Sequence, residues 1–225
     1  MKLSVIVPVY NEQNTVEKLL EKLNKVKQVK EIIVVNDGST DNTAKILEKL
    51  VKKYKKIQTF HQENQGKGGA VRVGLTKVTG DWVLIQDADL EYDPADIPTL
   101  TAHLNREGVD VVFGSRFLGP HSNLLFWHRM GNHLLNSLVN ILYDSTLSDM
   151  ETCYKLIPTE LLKELDLQST GFELEPEITC KILKKKIKIF EVPITYVGRN
   201  FEEGKKITWK DGIIAFWAII KLRFS

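Results

Sequence analysis

Only two cysteines, Cys153 and Cys180, occur among the 225 residues, and neither has a second cysteine or a histidine at metal-ligand spacing. No disulfide framework or zinc cluster is expected, and the two thiols are read as buried and reduced, in a cytoplasmic protein. Long apolar runs are also missing. The longest, IIAFWAII at 213–220, has eight residues, against the roughly 20 that span a bilayer. The opening MKLSVIVPVYNE lacks the apolar core and small-residue cleavage site of a signal peptide. Charge of one sign is not in excess: 31 Lys and Arg face 29 Asp and Glu, for a net charge of +2. A whole-molecule field for nucleic acid is therefore absent, and no nucleic-acid partner is expected. The five histidines form no HExxH, no GxSxG occurs, and Cys153 has no evident histidine partner, so zincin and nucleophilic-triad chemistry have no support. No repeat, low-complexity tract or linker interrupts the chain.

What is present is an alternation of two periodicities. LSVIVP (3–8) and EIIVVN (31–36) are short continuous apolar runs, the pattern of strands covered on both faces. Between them Val16, Leu19, Leu20, Leu23 and Val26 fall on one helical stripe. Asp41 can cap a second helix with Ala44, Leu47, Leu50, Val51 and Tyr54 inward. IQTFH (57–61) reads as a third strand, 66–78 as a helix, and DWVLIQ (81–86) as a fourth strand. Asp93 and Pro94 open a helix to about Asn105, and DVVFGS (110–115) is a fifth strand. Repeated βα units predict an α/β fold with a mostly parallel, helix-flanked sheet. Beyond it, helices are expected at 122–143, 173–186 and 207–222, a strand at 188–197, and a polar loop after it. One domain over 1–225 is the reading, with 1–115 as one half and 116–225, ending in a helix, as the other.

Ligands of open parallel sheets bind beyond the carboxyl ends of the strands. Three polar clusters stand at such ends: Tyr10-Asn11-Glu12, Asn36-Asp37-Gly38 and Asp87-Ala88-Asp89. Asn11, Asp41 and Asp93 read as turn or cap residues. In QDADLEYDP (86–94), Asp87, Asp89 and Glu91 alternate, which in an extended segment puts three like charges on one side. A positive group must sit among them, and paired carboxylates suit a hard divalent cation. NQGKGGAVRVG (64–74), with Lys67 and Arg72, enters a helix and leaves two readings open, a phosphate cradle or a tight turn. Arg116, Arg129, Arg199, Lys205 and Lys206 gather after the sheet and suit an anionic substrate. His128 and His133 read as surface or core.

VIVPVYNE, VVNDGSTDNT, NQGKGGAVRVG, QDADLEYDP and FGSR, followed by LSDMETCYK, FELEPEI, FEVPITY and EGKKITWKDG, resemble the family 2 glycosyltransferases of GT-A fold, over nearly the whole chain. Within that family the pattern is most similar to the polyprenyl- and dolichyl-phosphate sugar transferases. The resemblance implies a nucleotide-diphosphate sugar donor, UDP- or GDP-linked, and a Mg²⁺ or Mn²⁺ ion held by Asp87 and Asp89, with Glu91 at a third ligand position where relatives often carry an amide. It implies that Pro8, Tyr10 and Glu12 line the nucleotide pocket, that Asp37 binds the base or ribose side, and that Lys67 lies close by. Arg199 and Lys205 would belong to a loop closing on the diphosphate, and Arg116 and Arg129 would grip an acceptor phosphate. Asp89, Arg129 and Arg199 are then the candidate catalytic groups. If the acceptor is a hydroxyl, a base is needed, with Asp149 first and Glu151 second. The chain carries TCYK where many relatives have GFR, and it lacks their following transmembrane helices. A dolichyl or undecaprenyl phosphate acceptor at the inner face of the membrane is the first reading, with peripheral contact through 124–129 and the terminal helix. A saccharide or other hydroxyl acceptor, and a non-catalytic sugar-nucleotide-binding subunit, are the alternatives.

Overall fold

The computed structural model describes residues 1–104, 106–122, 125–199 and 209–225. In chain order the elements are β1 (Leu3–Val9), α1 (Val16–Lys25), β2 (Val29–Asp37), α2 (Thr43–Lys53), β3 (Ile57–Gln62), α3 (Gly66–Leu75) and β4 (Trp82–Ile85). A 3₁₀ turn at Pro94–Asp96 leads into α4 (Ile97–Thr101). Then come β5 (Val111–Ser115), β6 (His121–Ser122), α5 (Phe126–Tyr143), β7 (Lys155–Pro158), α6 (Thr159–Glu164), α7 (Leu174–Lys184), β8 (Ile189–Pro193), β9 (Tyr196–Val197) and α8 (Trp209–Phe224).

Seven strands form one sheet in the order β3-β2-β1-β4-β7-β5-β8, and β6 and β9 pair separately. β1 pairs in parallel with β2 and β4, and β5 in parallel with β8. The sheet is therefore mostly parallel, as the alternation predicts. The exception is β7, which runs antiparallel between β4 and β5. Its KLIP is four residues long, begins with lysine and ends with proline, so it carries no strand pattern, and the following α6 was likewise not foreseen. Because β7 and β8 come from 116–225, the two halves of the chain share one sheet.

Alternate strand residues face two cores. Val5, Val7, Ile32 and Val34 meet Leu19, Leu20, Leu23 and Leu47 of α1 and α2. Ile6, Ile33 and Val35 meet Ala70 and Val71 of α3, with Leu174 and Ile178 of α7. Fully burying each such side chain contributes about 1.5–3 kcal/mol, which is why these runs are apolar without interruption. A third cluster joins Leu135 and Val139 of α5, Cys180 of α7, and Ala215 and Ile219 of α8. Both cysteines are buried and free.

Several expected boundaries move. Val51 is exposed, at the edge of the α2 stripe. Asp41 Oδ1 accepts the Thr43 N–H at 2.9 Å, and Asp93 Oδ1 accepts the Ala95 N–H at 3.0 Å. α3 ends at Leu75 and α4 at Thr101, while Asn105 lies outside the described residues. The strand expected over 188–197 breaks into β8 and β9 at Pro193, which has no N–H to give a ladder.

Candidate active site

β2, β1 and β4 are neighbours in the sheet, so the three polar clusters lie side by side at its carboxyl edge. At the end of β2, Asp37 is 3% exposed, and its Oδ1 accepts from Gln62 Nε2 at 2.7 Å and the Gln65 N–H at 2.8 Å. After β1, Asn11 adopts a positive φ of 54° and its Oδ1 accepts the Thr40 N–H, the turn role expected of it. Tyr10 is 39% exposed. Pro8 is half-buried within β1, and Glu12 is buried, accepting from Thr15 Oγ1 at 2.8 Å.

The segment after β4 is not extended, contrary to expectation. It turns at Leu90, whose φ is +65°, a conformation unfavourable for a residue with a Cβ. Asp89 Oδ1 closes the turn by accepting the Glu91 N–H at 3.1 Å. The three carboxylates consequently diverge. Asp87 meets the Lys67 ammonium at 2.7 Å, whereas Asp89 meets Arg199 Nη2 at 3.0 Å. Glu91 accepts the Arg199 backbone N–H at 2.8 Å and the Tyr196 hydroxyl at 2.7 Å. Through these two bonds Glu91 ties β9 to the turn. The positive charge expected among these acids is present twice, as Lys67 and Arg199. Burial, with the charges of Asp87 and Glu91, pushes the Asp89 carboxyl up to about 7, against the pull of Arg199.

Behind Asp87 lies a charge network that sequence reasoning missed. The Lys67 ammonium also contacts Glu175 at 3.0 Å, and Glu175 meets the wholly buried Lys155 at 2.5 Å. Lys155 donates as well to the Thr152 carbonyl. Burial disfavours the Lys67 ammonium, but Asp87 and Glu175 outweigh it and hold the group well above its ordinary value. Burial likewise pushes Glu151 up to about 7, Lys155 opposing it and Glu175 adding to it. Only the acid in FELEPEI hinted at Glu175; nothing in the sequence pairs it with Lys67.

The glycine-rich segment packs tightly on the backbone of residues 169–170. The Gly68 N–H donates to the Thr170 carbonyl at 2.7 Å. A Cβ on Gly68 would fall 2.2 Å from Ser169 O, and one on Gly66, at φ +80°, 2.4 Å from Thr170 O. Only glycine lets the 169–170 backbone approach so closely.

Arg116 and Asp149 form a buried fork. Asp149 is 0% exposed and accepts from Arg116 Nε at 2.7 Å, Nη2 at 2.6 Å and the backbone N–H at 2.9 Å. Asp149 is thus sealed from solvent and takes three hydrogen bonds from Arg116, which directs its fork at this one carboxylate. Arg129 is exposed on the first turn of α5, with Nε 3.4 Å from His133 Nε2. Arg116 and Arg129 both stand over the Phe117 ring, on which His133 stacks. Lys205 and Lys206, with most of the expected closing loop, lie outside the described residues.

No three His, Cys, Asp or Glu side chains converge into a metal cage among the described residues. The donor set still fits a hard cation. Asp87 and Asp89 offer oxygen ligands, and Asp89 is a crowded, half-buried carboxyl whose ionised form a cation would favour. Magnesium in particular is commonly bound by one or two carboxylates plus substrate phosphates and not by an all-protein cage.

Known proteins resemble this chain in sequence and in fold. The sequence model of glycosyl transferase family 2 matches residues 4–166. An uncharacterized protein of Methanocaldococcus jannaschii is 30% identical over 97% of this chain and 98% of its own length. The dolichol-phosphate mannosyltransferase of Pyrococcus furiosus is 29% identical over 91% of this chain, which spans 59% of that protein. The low-salt glycan biosynthesis hexosyltransferase Agl6 of Haloferax volcanii is 29% identical over 89%, and here the chain spans 49% of the relative. In structure, the glucosyl-3-phosphoglycerate synthase of Mycobacterium tuberculosis, solved with UDP, superposes with a TM-score of 0.78 at 19% identity, covering 99% of this chain and 80% of that one. The fold is thus GT-A.

Proposed function

We propose that this chain, a glycosyltransferase that belongs to glycosyl transferase family 2, moves a hexose with inversion from a UDP- or GDP-linked sugar to a polyprenyl phosphate such as dolichyl or undecaprenyl phosphate. One observation carries the acceptor assignment. Asp149, the leading candidate base, is closed inside the Arg116 fork, while Arg129 stands exposed at the start of a helix with an apolar outer face. A phosphate acceptor requires a cation and no base, and a hydroxyl requires the reverse.

On the donor side, Pro8, Tyr10, Glu12 and Asp37 line the nucleotide position at the ends of β1 and β2. Asp87 and Asp89 would hold Mg²⁺ or Mn²⁺ against the diphosphate, where the ion supplies charge neutralisation for the leaving group. Lys67 fixes Asp87, and Arg199 is the chain's own cation beside the departing charge. An acceptor phosphate oxygen bonds to the anomeric carbon, and the carbon–oxygen bond to the diphosphate breaks, its electron pair leaving with the diphosphate. No proton is removed, because the acceptor is already anionic. Arg129 grips that acceptor. The relative named dolichol-phosphate mannosyltransferase supports the acceptor, and the neighbour solved with Mn²⁺ and UDP supports the metal and the nucleotide.

Peripheral contact with the inner membrane face fits the surface. Among the described residues no helix is long and apolar enough to cross a membrane. Trp127, Met130, Leu134 and Ile141 are nevertheless exposed along one stripe of α5, and Trp209, Ile213, Trp217 and Phe224 along α8. The same two helices carry Arg129 on α5 and Lys221 and Arg223 on α8, a mixture suited to an anionic interface. Arg129→Ala is expected to raise the acceptor KM or lower kcat by about tenfold, the size of one charged hydrogen bond, with donor affinity unchanged, and anionic liposomes should retain the protein at low salt. A normal Arg129→Ala enzyme, together with a chain that ignores liposomes, contradicts the proposal.

A further inference from the structure

Three carboxylates from two separate segments surround the guanidinium of Arg199. Nη2 is 3.0 Å from Asp89 Oδ2, Nη1 3.7 Å from Glu12 Oε2, and Nε 3.7 Å from Glu91 Oε1. The buried Nε atom has no hydrogen-bond partner. Arg116 provides the contrast, since its fork meets one carboxylate at 2.6 and 2.7 Å. Arg199 is held mainly as a charge, by one direct contact and two looser ones. Its backbone is pinned far better. The Arg199 N–H and the Tyr196 hydroxyl donate to the Glu91 carboxylate, and the Val197 N–H donates to the Glu91 carbonyl at 3.0 Å. The side chain is therefore a loosely held cation on a fixed pivot.

We propose that Glu12, Asp89 and Glu91 form a seat for one positive charge, that Arg199 fills it in the metal-free chain, and that the donor's divalent cation and Arg199 compete for it until the donor diphosphate arrives and takes the guanidinium. This rests on the metal-dependent donor reading above. A +1 and a +2 charge repel at a few ångströms, so the ion finds its carboxylate available only in the fraction of molecules whose arginine has swung out. Its apparent affinity falls by that fraction. A nucleotide diphosphate offers the guanidinium a second anionic partner and releases the seat, and by linkage metal and nucleotide each tighten the other's binding. Empty of donor, the site would reject free cations; with donor, it would accept them.

The test is direct titration with Mn²⁺ alone, and then with UDP or GDP at saturating Mn²⁺, by calorimetry or by the spin-resonance signal of the free ion. Arg199→Gln should bind Mn²⁺ alone about tenfold more tightly, within the usual range of such couplings, and should bind nucleotide plus metal more weakly. Arg199→Lys keeps the charge and should stay near the wild type for the metal alone. In the wild-type chain, the Arg199 Nε resonance should shift at saturating Mg²⁺ without nucleotide. Arg199→Gln with unchanged or weaker affinity for Mn²⁺ alone overturns the proposal, as does an Nε resonance that stays in place. A chain that binds no Mn²⁺ even with nucleotide overturns it too, and sinks the metal-dependent donor reading as well.

Discussion

Replacing Asp149 by alanine would leave the Arg116 guanidinium buried without its partner. The Asp149 side chain is 0% exposed and that of Arg116 10%, so little water can reach the stranded charge. Breaking a buried pair of this kind costs about 3–5 kcal/mol. For a domain of this size each kcal/mol lowers Tm by about 2–4 °C, so a fall of about 6–20 °C is expected. Calorimetry and urea unfolding followed by circular dichroism would measure it. The double change Asp149→Ala with Arg116→Met removes both charges and should recover more than half of the loss, because an apolar pair needs no counter-charge. Asp149→Asn should keep the shape and most of the turnover per folded molecule. The reasoning is refuted if Asp149→Ala shifts Tm by less than about 2 °C while Asp149→Asn abolishes turnover. That result would make the carboxylate a base and the acceptor a hydroxyl.

Two further outcomes follow from burial. Gly68→Ala should destabilise by about 1–3 kcal/mol through overpacking, since its Cβ would lie 2.2 Å from a backbone oxygen; an unchanged urea midpoint would contradict the close approach. Glu151 has its folded pKa raised from 4.5 to about 7 by burial, so its contribution is fully present below the unfolded value and is lost as pH rises through about 7. Glu151→Gln should therefore flatten the fall in stability between about pH 5 and 8 and raise Tm at the alkaline end. An unaltered pH profile would show that this carboxyl is not held protonated by the fold.

Much of the sheet was legible because a strand covered on both faces must be apolar throughout. LSVIVP and EIIVVN admit little else once turns bound them. β7 was not legible, since its pattern depends on Lys155 being neutralised by Glu175, a contact made only in the fold. The carboxyl-edge clusters were legible from topology, and the crowding of Asp87, Asp89 and Glu91 called for positive partners. Which cation meets which acid was not, because Arg199 lies 110 residues from Asp89. The closure of Asp149 by Arg116 was hidden for the same reason, being a pairing across 33 residues. The glycines of NQGKGGAVRVG showed that something approaches the chain closely, without saying that the backbone of residues 169–170 does so.

The most direct test of the central claim is transfer itself. The chain is incubated with radiolabelled UDP- and GDP-sugars, Mg²⁺ or Mn²⁺ and a polyprenyl phosphate, and label is counted in the organic extract. The expected result is extractable product from one donor, abolished by chelator and reduced on the order of 10²–10³ by Asp89→Ala, the usual cost of losing a group that stabilises charge at a reacting centre. Label that passes only to water-soluble hydroxyl acceptors, or transfer undiminished in excess chelator, would contradict it.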